Sequence, residues 1–118
     1  MLEFHQDFAW VVVIVNGLAG AWVLGANWIS RVRHVSMWWI VGAAHVLMMV
    51  QVVIGVIVQN TTELVAPDFH LLYGFLTLIS IGILYSYRQQ IDGHLYLLYG
   101  LGTIWVMGLG LRAMFLGI

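Results

Sequence analysis

The chain has no cysteine and no lysine, a single proline at position 67, and charged residues at only 8% of its 118 positions. Each shortage excludes something. Without cysteine there are no disulfides, thiolate metal sites or cysteine nucleophiles. The basic residues are four arginines and the formal net charge is −1, so nothing suggests a nucleic-acid surface. Soluble domains carry about 25% charged residues, and this deficit of charge decides the class. What is abundant is apolar: 63% of residues are hydrophobic and the mean hydropathy is +0.99. That composition belongs to an integral membrane protein whose main partner is the lipid bilayer. Glu3 and Asp7 stand where the basic n-region of a cleaved signal peptide would be, so the first apolar run reads as a retained span.

Polar breaks at 29–36, 59–68 and 88–94 separate four apolar runs, at about 6–28, 36–59, 68–88 and 93–116. Each holds about 20 residues or more, enough to cross a hydrocarbon core of roughly 30 Å at about 1.5 Å per residue. Lipid offers the backbone no water to bond, so the runs must be helices. Short connections make sequential helices antiparallel. The expected fold is therefore all-α, one transmembrane antiparallel four-helix bundle spanning residues 1–118. Arg31, Arg33 and Arg88 lie at the first and third turns, whereas Glu3, Asp7, Glu63 and Asp68 lie at the N-terminus and second loop. The positive-inside rule then predicts both termini on the extracytoplasmic side. Trp28, Trp38, Trp39, Tyr85, Tyr87 and Tyr96 would form an aromatic belt at the cytoplasmic ends. Small residues let membrane helices approach closely. Gly17, Ala21 and Gly25 make one such stripe on helix 1, and Gly100, Ile104 and Gly108 a weaker one on helix 4.

Counting residues along each helix sorts the polar side chains by depth. His45 lies about 14 Å from the cytoplasmic end of helix 2, and Asn16 roughly 15 Å from the outer end of helix 1. Thr77 and Thr103 reach nearly the same level, so these four predict a mid-membrane polar layer. His45 is expected to bond Asn16 or a threonine. A proton-handling role, or contact with a cofactor or quinone, is the alternative for an ionisable group at this depth.

The outer level collects more chemistry. His5 opens helix 1, His70 opens helix 3, and Arg112 reaches the same face about 29 Å along helix 4. Gln51 sits roughly 12 Å below that face on helix 2. His34 and His94 belong to the opposite end. Two imidazoles from separate helices can ligate one haem iron inside a bundle. Gly74, one turn after His70, leaves room for a ring edge, and Arg112 suits a propionate. The plainer reading is a capping histidine, a terminal histidine and an arginine that snorkels or pairs with Asp68. A zinc or copper site built from His5, His70 and Asp7 or Asp68 is less favoured, because it leaves Gly74 and Arg112 without a role.

Three stretches carry a resemblance. "EFHQDFAWVVVIVNG" (3–17) begins a helix with histidine, "VQVVIGVIV" (50–58) places glutamine four before glycine, and "HLLYGFLTL" (70–78) opens a helix with histidine and a small residue at i+4. Over about residues 3–80 this order resembles one half-bundle of the haem A synthase family. The resemblance implies a four-helix bundle with b-type haem held between His5 and His70 as axial ligands. The chain departs from that family in having Gln6 where arginine usually follows the first histidine, in having one half-bundle, and in placing its extra helix last. Oxidation of a haem side chain is therefore not expected. "YSYRQQ" and "MGLGLRAM" also look like small uncharacterised four-helix membrane proteins of actinobacteria, which implies a bacterial cytoplasmic membrane.

The leading expectation is a haem b protein working in electron transfer or haem carriage at the extracytoplasmic face. A non-catalytic accessory subunit of a respiratory or other membrane complex is the alternative, with a homo-oligomer also open. A small oligomeric transporter or channel using Asn16, His45, Thr77 and Thr103 is third.

Overall fold

The structure is a computed structural model that describes residues 2–62, 67–90 and 92–116, with Asp92 described by its backbone alone. Four helices make up nearly all of it: α1 (Leu2–Ala26), α2 (Val35–Thr61), α3 (Asp68–Ser86) and α4 (Leu95–Phe115). Single 3-10 turns at Ser30–Val32 and Asp92–His94 sit in the first and third connections. Each helix is long and apolar enough to cross a membrane. Large apolar side chains cover the outside as well as the inside. Leu18, Trp39, Ile79, Trp105 and Phe115 are all exposed. A helix apolar all round has lipid as its natural surroundings, and this marks a multi-pass membrane protein.

The helices begin and end for local reasons. Arg33 Nε donates to Ala26 O at 2.7 Å and its Nη2 to Asn27 O at 3.2 Å. These bonds satisfy carbonyls that the last turn of α1 leaves free, and they place a cation where the helix dipole favours one. The same guanidinium lies 4.5 Å from the centre of the Tyr96 ring. His34 caps α2, its Nδ1 accepting from Ser36 N at 3.1 Å. Proline at position 67 precedes α3, where a missing N–H costs nothing. α1 begins four residues before the expected span, so His5 sits within its first turns rather than ahead of them.

α1 packs on α4 and on α2, and α3 packs mainly on α4. α2 and α3 touch sparsely, and the backbones of α1 and α3 stay apart. The close contact is α1 against α4. A Cβ on Gly20 would lie 2.8 Å from Ile104 Cγ1, and one on Gly100 would lie 2.7 Å from Leu24 Cα. No described glycine has positive φ, so here glycine supplies smallness rather than an unusual backbone. This corrects the expected stripe. The packed face of α1 runs Val13, Gly17, Gly20 and Leu24, against Gly110, Met107, Ile104 and Gly100. Ala21 is exposed, and Gly25 and Gly108 have open space around them. Steps of four drift about 40° around a helix of 3.6 residues per turn, whereas alternating steps of four and three hold one face.

Candidate functional site

The four residues expected to form a polar layer each find partners inside the bundle. Asn16, His45, Thr77 and Thr103 are all buried. His45 Nε2 bonds Thr103 Oγ1 at 2.9 Å and its Nδ1 bonds Tyr85 Oη at 3.1 Å, one ring nitrogen donating and the other accepting. His45 therefore takes a threonine rather than Asn16. Asn16 Nδ2 instead donates to Val12 O at 2.8 Å and Ala44 O at 3.0 Å, tying α1 to α2. Thr77 Oγ1 donates to Gly74 O at 2.6 Å within α3. Tyr85, assigned from sequence to the aromatic belt, turns inward and stacks edge-on against both His45 and Tyr99. Its helical spacing carries that signal: Thr77, Ile81 and Leu84 are buried on α3, and position 85 shares their face.

Toward the other end of the bundle the helices leave a cavity of about 470 Å³, lined by residues from all four. That falls within the usual range for cofactor and small-molecule sites, about 300–1,000 Å³. His5 from α1 and His70 from α3 both line it. Their ring centres are 6.2 Å apart and the rings are nearly perpendicular, at 80°. The α1 and α3 backbones stay apart, and the two imidazoles meet edge to face between them.

Each ring has its own support. His70 Nδ1 donates to Ala113 O at 2.7 Å. In the neutral ring this leaves the Nε2 lone pair free to act as a ligand. The His5 ring lies over Gly55, where a Cβ would stand 3.0 Å from His5 Cε1. Gln51, one turn earlier on α2, is buried, and its Nε2 donates to His5 O at 2.6 Å. Gly74 lines the cavity from α3, and a Cβ there would meet nothing within 4 Å. Thr77, Met48 and Gly110 line its inner part.

The structure thus gathers His5, His70, Gln51, Gly74 and Thr77 at one cavity. It does not bring Arg112 there: Arg112 is exposed and outside the lining, while its neighbour Ala113 is part of it. Glu3, Asp7 and Asp68 are exposed. Glu63 falls outside the described residues. Gly55 was absent from the expected site, although its place four residues after Gln51 was the available signal.

No family model, no curated protein and no solved structure matches the chain. The site's chemistry therefore rests on its geometry. Two imidazoles on opposite sides of one metal, with metal–nitrogen bonds of about 2 Å, have ring centres about 6 Å apart. Among the described residues no group of three or more histidine, aspartate and glutamate side chains converges. A protein-only zinc site needs three or four such donors. Haem iron takes its equatorial donors from the macrocycle and asks the protein for only two. The two imidazoles present fit a group that asks the protein for two donors.

Proposed function

We propose that this chain is a b-type haem protein of a bacterial cytoplasmic membrane, with His5 and His70 as the two axial ligands. It is an antiparallel four-helix bundle with the His5/His70 end facing the extracytoplasmic side, and it works in electron transfer or haem carriage there. The observation that carries the reading is the pair of imidazoles from helices whose backbones stay apart, with ring centres 6.2 Å apart beside a cavity of about 470 Å³. A bound haem would supply one-electron chemistry at its iron, tuned by the axial ligands and by what they bond to.

The chain's own residues do the positioning. The Ala113 carbonyl fixes the tautomer and orientation of His70. Gly55 admits the His5 ring, and Gly74 keeps the α3 wall open. The apolar lining from Val12, Val13, Met48 and Val52 keeps water from the inner side of the site. Arg31, Arg33 and Arg88 at the opposite end support the orientation.

The test is haem titration of the detergent-purified protein, followed by absorption spectroscopy. The wild type is expected to bind one haem with a six-coordinate low-spin spectrum. His5→Ala and His70→Ala should each lose that spectrum while keeping helicity. No Soret band with haem in excess, or a band indifferent to both changes, would remove the proposal.

A further inference from the structure

Two buried atoms beside the cavity have no hydrogen-bond partner, and they belong to neighbouring side chains: His5 Nδ1 and Gln51 Oε1. A buried polar atom left unpaired destabilises the fold, so two together call for a cause. Gln51 is 8% exposed, lines the cavity, and is anchored through Nε2 to the backbone of His5. Its amide adjoins the His5 imidazole as well. Across the gap the equivalent nitrogen, His70 Nδ1, is already satisfied by Ala113 O.

Ligation settles which nitrogen of an imidazole carries the proton. When Nε2 binds a metal, Nδ1 keeps its hydrogen and needs an acceptor, and such acceptors orient metal-bound histidines generally. Resting on the haem reading, we infer that Gln51 is the positioning residue of His5. Its Nε2 holds the His5 backbone, and its Oε1 accepts the Nδ1–H once Nε2 is committed to iron. One bond then accounts for both unpaired atoms. It also gives the two ligands unequal support, a side-chain amide on one side and a backbone carbonyl on the other. The amide side can be changed by mutation.

The experiment compares haem-loaded wild type with Gln51→Leu, Gln51→Asn and Gln51→Glu, all full-length in detergent. Leucine has no acceptor and asparagine is one methylene too short. Both should lower haem affinity about 10- to 100-fold, convert part of the ferric iron to high spin, and open the ferrous form to carbon monoxide. Glutamate gives up the bond to His5 O but keeps an acceptor for Nδ1–H, so it should stay low-spin and lower the midpoint potential, because a carboxylate draws the Nδ1 proton and enriches the ligand in electrons. If the leucine variant fails to fold, the glutamate variant carries the test alone. In a His5→Ala background, Gln51→Leu should add nothing to the spectral change. Wild-type spin state, carbon monoxide binding and potential in both the leucine and glutamate variants would overturn the inference while the haem reading stands. A wild type that takes up no haem would remove both.

Discussion

A Cβ on Gly55 would stand 3.0 Å from His5 Cε1, whereas one on Gly74 would meet nothing within 4 Å. These two glycines face one cavity and answer to different constraints. Gly55→Val forces the His5 ring off its position, and overpacking of this kind costs about 1–3 kcal/mol. Its expected signature is reduced haem affinity and a rise in high-spin iron, close to that of His5→Ala. Gly74→Ala should leave the empty protein as stable as before, or more stable by about 0.5–1 kcal/mol from the gain over glycine in a helix. Gly74→Leu should fold normally yet lose haem, since it fills the space the cavity keeps. Thermal unfolding without haem and titration with it separate the two glycines. Gly74→Leu binding haem as the wild type does would show that the α3 wall is not part of the site.

Helix by helix, the spans were legible in the sequence and the faces only in part. Counting residues at about 1.5 Å each fixes height along an axis. That is why His5 and His70 meet at one cavity and why His45 comes within bonding distance of Thr103. Direction around the axis turns by about 100° per residue, so a small error in register moves a side chain off its face. Arg112 was placed at the right height but lies one residue from the cavity-lining Ala113. The stripe at Gly17, Ala21 and Gly25 drifted off the α4 contact for the same reason, and Tyr85 turned inward where a belt position was expected. The corrected face makes its own prediction. Gly100→Ala puts a methyl 2.7 Å from Leu24 Cα and should destabilise by about 1–3 kcal/mol or more. Gly25→Ala, with open space around it, should be close to neutral. Unfolding temperatures in one detergent are enough to compare them, and equal losses would contradict the packing.

At the scale of the whole molecule, the four spans divide the chain into two unlike ends. One carries Arg31, Arg33 and Arg88 with Trp22, Trp38 and Tyr96, and the other carries the His5/His70 cavity. The absence of cysteine makes orientation simple to measure. Ser30→Cys and Gln90→Cys should react with a membrane-impermeant maleimide only in inverted vesicles, and Glu3→Cys only in right-side-out cells. The reverse pattern would move the site to the cytoplasmic face.

If one iron binds between the two nearly perpendicular imidazoles of His5 and His70, electron paramagnetic resonance of the ferric, haem-loaded protein will report it. With haem bound, each imidazole would donate π density to the iron. Rings that kept their 80° angle would do so in two directions almost equally and leave a large orbital contribution to the magnetic moment. The wild type should give a highly anisotropic low-spin signal that disappears in both His5→Ala and His70→Ala. A high-spin signal in the wild type, or a low-spin signal that survives either substitution, would contradict it.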